Sequence, residues 1–329
     1  MHSKRRVLII VGPTASGKTT LSLNLAEALG GEILSADSRQ CYRLMDIGTA
    51  KPTADEQARA VHHGIDIKNP DERFSAGEFS QYGREVIEQI FSHGHVPIVV
   101  GGSGLYVQAL VEGVFGGSYR DEILRDHLRA DARRRGLPAV RRWLASIDAE
   151  AEKKILPNDE KRLIRALEVC LLAGQPISAL QAEKTIPASF EPVYLGLNWP
   201  RAQLYARINR RVEAMFAQGL MDEFNRLISM GYDLSNNAMD SVGYKELFAV
   251  KSGALSLEEG AALIQQNTRR FSKRQMTWFR RNDQIHWLNV NDESTERQIL
   301  DEALQLWHDG ASSGSRGLPV SSLLDRPIE

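Results

Sequence analysis

Val7-Leu8-Ile9-Ile10-Val11-Gly12-Pro13-Thr14-Ala15-Ser16-Gly17-Lys18-Thr19 is the stretch whose reading decides the fold of this chain. Its first five residues are apolar and mostly β-branched, which suits a buried strand of a parallel sheet. Gly12, Pro13, Thr14, Ala15, Ser16, Gly17, Lys18 and Thr19 complete the pattern G-x-x-x-x-G-K-T, and a helical stretch over residues 20–29 follows. The strand–loop–helix setting separates a phosphate cradle from a chance match. Its glycines let the backbone wrap closely around an anion, so that successive N–H groups and the helix N-terminus point at it. Lys18 is then a point charge on phosphate oxygens, and Thr19 offers its hydroxyl to a Mg²⁺ ion. These eight residues are the expected diphosphate- or nucleotide-binding site, with Thr19 the expected metal ligand and Mg²⁺ the expected cofactor.

Outward from this loop, the first third of the chain reads as an α/β unit. A second strand at 32–36 ends at Asp37, a helix near 54–61 leads to a third strand at Ile65-Asp66-Ile67, and Ser75 with Glu78 opens a long amphipathic helix to about 93. A short buried strand, Pro97-Ile98-Val99-Val100, feeds Gly101-Gly102-Ser103-Gly104, where another helix begins. From 115 to 191 the pattern is helical only, with Arg125, Arg129 and Arg133 at i, i+4, i+8 on one helix face. A strand at 193–197, helices at 202–218, 221–230 and 257–281, a strand at 285–288 and a helix at 294–307 capped by Ser294 complete the order. The expected architecture is a P-loop NTPase-like α/β core with a parallel sheet, made of 1–114 and 192–309. Residues 115–191 form a helical insertion domain, and 310–329 a disordered tail.

Hydrophobic residues at 42% and charged residues at 25% are ordinary for a globular protein, and the longest apolar runs are too short to span a bilayer. The basic N-terminus runs directly into the first strand, so no signal peptide and no membrane are expected. Cys41 and Cys170 match no metal or redox spacing and suit a reducing cytoplasm. His62 and His63 resemble a zinc pair, but no further Cys or His cluster supports one, and they are expected to stabilise the loop before the third strand. Net charge is −1, yet residues 120–142 carry eight arginines against four acids, and 269–281 carry six basic residues and no acid. Two readings of these patches stay open: local fields that hold RNA, or solvated helix faces.

Further segments line up with the loop: Ser35-Ala36-Asp37-Ser38-Arg39-Gln40 through Lys51-Pro52, His62-His63-Gly64-Ile65-Asp66-Ile67, Phe74-Ser75-Ala76-Gly77-Glu78-Phe79, and Gly101-Gly102-Ser103-Gly104-Leu105-Tyr106. Later come Pro157-Asn158-Asp159 with Arg162-Leu163-Ile164-Arg165-Ala166-Leu167-Glu168-Val169, then Ser241-Val242-Gly243-Tyr244-Lys245-Glu246, and finally the basic-aromatic run from Thr268 to Arg280. In this order the eight blocks resemble the bacterial tRNA dimethylallyltransferases (tRNA isopentenyltransferases, the IPP transferase family). The family usually has threonine where Ser103 stands and a larger apolar residue where Gly64 stands.

The resemblance implies transfer of a dimethylallyl group from dimethylallyl diphosphate to N6 of the adenosine 3′ of the anticodon, in tRNAs reading codons that begin with U. It also implies the tRNA anticodon stem-loop as partner, and a monomer is expected. Asp37, at a strand end beside the loop, is the candidate general base that draws a proton from the adenine amine. A Mg²⁺-ordering role for Asp37 remains the rival. Lys18 is expected to stabilise the leaving diphosphate. Ser103 is either a residue of the passage between adenine and allyl group or the N-cap of the next helix. The resemblance assigns tRNA contact to Asp37, Ser38, Arg39, Gln40, Ser103, Arg125, Lys161, Arg162, Leu163, Ile164, Arg165, Ser241, Val242, Gly243, Tyr244 and Lys245. Arg207 and Arg211 share a helix face and could reach the diphosphate, and Phe271, Trp278 and Phe279 are either stacking surfaces or core. The competing activities are a small-molecule P-loop kinase using ATP, a non-catalytic RNA binder switched by nucleotide, and prenylation of free adenine nucleotides.

Overall fold

The computed structural model describes residues 5–114 and 119–312, which divide into two compact units, 5–111 with 188–312 and 112–187. In β1 (Arg6–Val11) the five residues from Val7 to Val11 have no solvent exposure. Strand alternation sends Val7, Ile9 and Val11 into the core on one face and Leu8 and Ile10 into the core on the other. At roughly 1.5–3 kcal/mol per fully buried aliphatic side chain, this strand outweighs any exposed ion pair of the unit.

The phosphate loop and α1 (Lys18–Leu29) follow, then β2 (Gly31–Ser35). A capping box of Thr53 and Glu56 starts α2 (Ala54–Arg59). Next is β3 (His62–His63), which corrects the expected position of the third strand. His62 and His63 pair with Ile33 and Leu34, and Gly64 and Asp66, both in the left-handed region (φ 80 and 56), turn the chain out of the sheet before 65–67 can add to it. The predicted Ser75–Glu78 capping box opens α3 (Ala76–Ser92), followed by β4 (Val96–Gly101) and α4 (Gly104–Glu112).

The second unit contains α5 (Glu122–Arg135), α6 (Leu137–Ile147), α7 (Ala149–Lys154), α8 (Glu160–Ala173) and α9 (Ile177–Lys184). Its own core gathers Leu128, Val140, Leu144, Leu163, Ile164 and Leu167. Inside α8, the carboxylate of Glu168 is fully buried and accepts hydrogen bonds from the Asp121 backbone (3.0 Å), Arg125 (2.6 Å) and Arg165 (2.8 Å). The unit ends at 187, short of the expected 191, because Phe190 packs into the core of the sheet-bearing unit.

The chain returns as β5 (Glu191–Asn198), α10 (Arg201–Ala217) and α11 (Leu220–Ser229), then α12 (Tyr244–Lys251), a helix the sequence reading does not contain. It closes with α13 (Leu257–Phe279), β6 (His286–Asn289) and α14 (Glu296–Ser312). Thr295, rather than the expected Ser294, caps α14: its hydroxyl accepts from Gln298 N at 3.2 Å while the Gln298 side chain accepts from Thr295 N at 3.0 Å. Ser294 instead accepts from Asn291 N. Helix α14 continues past the expected start of the tail at 310, and residues 313–329 lie outside the described ones. Among the described residues no single helix is long and apolar enough to cross a membrane.

All six strands are parallel, in the order β3-β2-β4-β1-β5-β6. The chain turns outward from β1 in both directions, so the carboxyl ends of β1, β2, β4 and β5 border one crevice, where such sheets hold ligands. The phosphate loop, Asp37, the 101–104 glycine turn and Trp199 all follow those four ends.

Candidate active site

Gly17 (φ 92) and Ala15 (φ 63) put alternate residues of the phosphate loop in the left-handed region, which folds successive N–H groups into an anion-binding nest. Ala15 adopts this conformation at a cost on the order of 1 kcal/mol, a strain of the kind held at functional sites. Two outer contacts hold the loop: the Trp199 indole donates to Ser16 O at 2.9 Å, and Arg207 Nε donates to Ala15 O at 3.0 Å while its guanidinium lies over the Trp199 ring. Inside the loop, Lys18 Nζ donates to Pro13 O at 2.6 Å.

Lys18 keeps some solvent contact, but the surrounding protein removes most of its hydration. That burial, with the Arg211 guanidinium adding to it and Asp37 opposing, brings its ammonium down to about 7. Burial also lowers Arg211 and Arg207, the former against the pull of Asp37. None of the three cations has a carboxylate within salt-bridge distance among the described residues. Burial of cations with no directly paired carboxylate makes a field suited to an anion.

A cavity of about 860 Å³ joins this loop to Asp37, Ser38, Arg39, Gln40, Ser103, Ser241, Val242, Gly243 and Lys245, all at its wall. Asp37 Oδ1 accepts from Arg39 N at 2.8 Å, which fixes the carboxylate as a local turn. Arg39 in turn donates to Asn237 O at 2.7 Å, and Gln40 bridges Ser35 and Ala50, so these two side chains also hold the cavity wall. Tyr244 is a correction. It is fully buried, and its hydroxyl donates to Glu223 at 2.6 Å, which leaves no face for RNA. Glu223 accepts as well from the backbone of Asp46, Ile47 and Gly48, so Tyr244 and Glu223 support the segment from which Gly48 and Thr49 reach the cavity.

Ser103 stands at the cavity, and among the described residues no backbone N–H of α4 donates to its hydroxyl; its carbonyl serves the helix, accepting from Tyr106 and Val107. The glycines around it admit α13. A side chain at Gly104 would come within 2.1 Å of the Trp278 ring, and one at Gly102 within 2.2 Å of the Gln275 amide. Gln275 ties the two loops together, accepting from Thr14 N at 2.9 Å and donating to Gly102 O at 3.0 Å. Phe279 is core, whereas Trp278 and the exposed Phe271 border the cavity beside Arg274. Sequence reasoning missed Gln275, Trp199 and Glu223, since a helical glutamine, a strand-end tryptophan and a helical glutamate carry no signal before the chain folds.

In the helical unit, Leu163 and Ile164 are buried, which withdraws both from RNA contact, and Arg125 and Arg165 turn to Glu168. Lys161 and Arg162 remain exposed. Thr19 lies in the cavity wall with Asp37, and a hydroxyl and a carboxylate are the oxygen donors that a hard cation such as Mg²⁺ takes.

The IPP transferase family model matches residues 40–282, and an isopentenyl transferase model matches 5–72. A Geobacter sulfurreducens protein named tRNA dimethylallyltransferase is 45% identical over 287 residues, covering 87% of this chain and 92% of the relative. One from Alkaliphilus oremlandii, of the same name, is 46% identical over 290 residues, 88% of this chain and 93% of its own. The crystal structure of a Bacillus halodurans tRNA isopentenylpyrophosphate transferase superposes with a TM-score of 0.71 at 39% identity, covering 94% of this chain and 98% of that one. A eukaryotic dimethylallyltransferase described as acting on tRNA gives a TM-score of 0.82 at 26% identity, with 94% and 80% covered. With that agreement in sequence and fold along nearly the whole length, this chain belongs to the IPP transferase family.

Proposed function

We propose that this chain is a tRNA dimethylallyltransferase. It moves the dimethylallyl group of dimethylallyl diphosphate to N6 of the adenosine immediately 3′ of the anticodon (tRNA position 37), in tRNAs reading codons that begin with U, giving N6-isopentenyladenosine. The observation that carries this reading is the group of buried cations Lys18, Arg207 and Arg211, without ion pairs among the described residues, around a backbone nest, with the Asp37 carboxylate in the same cavity. The C–O bond of an allylic diphosphate breaks readily when its leaving charge is met by preorganised donors, and the nest and Lys18 are aimed at that charge. As the C–N bond forms, N6 must lose a proton, and Asp37 accepts it. Mg²⁺ held by Thr19 would supply further neutralisation of the diphosphate. A cavity of about 860 Å³ accommodates an extruded adenine beside the prenyl donor, and Trp278 and Phe271 offer it stacking surface. We read the protein as a cytoplasmic monomer whose helical unit, with the exposed Lys161 and Arg162, grips the anticodon stem-loop.

The test incubates purified protein with dimethylallyl diphosphate, Mg²⁺ and unmodified tRNA and analyses the digested nucleosides by mass. Isopentenyladenosine at the base 3′ of the anticodon is expected. Parallel samples with ATP and with free adenine nucleotides examine the kinase and mononucleotide activities, and product formed only there would overturn the proposal.

A further inference from the structure

At the amino edge of the sheet, away from the cavity, three elements bring their ends together. Glu32 is the second residue of β2, His93 ends α3, and His95 immediately precedes β4. The Glu32 side chain is only 5% exposed, whereas His93 and His95 are half exposed. Both imidazoles approach one oxygen: His93 Nδ1 lies 2.9 Å and His95 Nδ1 2.7 Å from Glu32 Oε1, and the three ligand atoms lie within 4.8 Å of one another. The other oxygen, Oε2, is 2.6 Å from His63 Nε2 in β3.

We propose that Glu32, His93 and His95 bind one Zn²⁺ ion, with His63 as a positioning residue. Two imidazole nitrogens and a carboxylate oxygen are the donor set zinc takes when a fourth position stays open, and the half-exposed imidazoles leave that position to water. Two Nδ1 atoms crowded on a single oxygen are the arrangement one ion at about 2.0–2.2 Å would satisfy at once. The imidazoles bind as neutral ligands by carrying their proton on Nε2, so no charge is introduced except the ion's, against the Glu32 carboxylate. His63 holds the second oxygen and so aims the first, the outer-shell contact that tuned metal sites use. The sequence gives little sign of this, because Glu32 lies 61 positions before His93. His63 thus shares Glu32 with His93 and His95, a grouping that sequence spacing does not show. Bound zinc would pin the α3–β4 turn to β2 and stabilise the sheet.

The test titrates full-length protein, stripped with chelator, with Zn²⁺ alone near neutral pH in excess Mg²⁺, reading heat and bound metal per chain. We expect one Zn²⁺ per chain and a rise in Tm with the ion. The double variant His93→Ala/His95→Ala, confined to exposed side chains, should keep its circular dichroism and bind at least ~100-fold more weakly. His63→Gln should weaken binding about 10-fold, and Co²⁺ in place of zinc should show the absorption of a four-coordinate ion in wild type only. Equal binding by wild type and double variant, or no uptake by wild type, would overturn the proposal.

Discussion

In the helical unit the arginines meet acids of their own unit: Arg120 pairs with Glu122, Arg125 with buried Glu168, Arg129 with Asp126, Arg134 and Arg135 with Asp131, and Arg141 with Glu152. Around the phosphate loop, Lys18, Arg207 and Arg211 line one cavity with no ion pair among the described residues. By sequence the first region is the more basic; by structure the second has the field. A guanidinium against a carboxylate has its charge answered within the fold, whereas a buried cation without one costs folding free energy that a bound anion would offset. Charge without a paired acid, not the number of charges, is what distinguishes the proposed anion site.

Substitutions can break this contrast. The largest effect is expected at Asp37, the carboxylate that acts on both Lys18 and Arg211. Asp37→Ala should slow prenyl transfer by about 10²–10⁴-fold in single-turnover assays while tRNA binding stays nearly intact, because a base acts mainly in the transition state. Wild-type turnover would remove Asp37 from the chemistry. Lys18→Met should cost about 10²–10³-fold in transfer yet leave Tm unchanged or higher, since it removes an ammonium that burial disfavours. A clear drop in Tm would mean Lys18 is a structural cation after all.

The opposite pattern is expected on the paired side. Arg125→Ala leaves Glu168 buried with less compensation and should destabilise the helical unit by about 3–5 kcal/mol in urea melts. Unchanged stability together with weakened RNA binding would return Arg125 to the tRNA-contact role that the sequence suggests. Arg133, exposed and without an ion pair among the described residues, is the better place to look for RNA contact. If it meets a phosphate, Arg133→Ala should lower the slope of log affinity against log salt by about 1.

The smallest effect is a proton. Lys18 has its ammonium lowered from 10.5 to about 7. The folded chain therefore gives up this proton more readily than the unfolded one. The cost of burying the charge is fully present below about 7 and fades as pH rises towards 10.5. A diphosphate beside Lys18 restores the charge, so binding at about pH 8 should take up close to one proton and weaken as pH rises further. Calorimetry in buffers of different ionisation heat measures this, and no proton uptake would mean the ammonium is already charged.

Legibility followed the range of the interactions. The strand at 7–11, the phosphate loop and the Ser75 cap depend on neighbours within a few residues, and all three are where the sequence puts them. The third strand missed its place because its position depends on Gly64 and Asp66 bending the chain after it has paired with β2. Tyr244, Leu163 and Ile164 read as RNA contacts because they stand in segments that resemble the family's, yet packing decides which side of such a segment faces solvent. Arg207 and Arg211 were visible as a helix face, but not their burial beside Lys18.

The sequence by itself determined a parallel sheet whose first strand runs into a glycine loop with the pattern of a phosphate cradle, and its ordered blocks identified the family. These follow from backbone stereochemistry and local periodicity, which act over a turn or a strand. Only the tertiary structure decided which cations lack a counter-charge, that Gln275 joins Thr14 to Gly102, and that Glu32 collects three histidines. Each of these is a contact between residues far apart in the chain, and burial and distance, which set the energies of charged groups, exist only once the chain has folded.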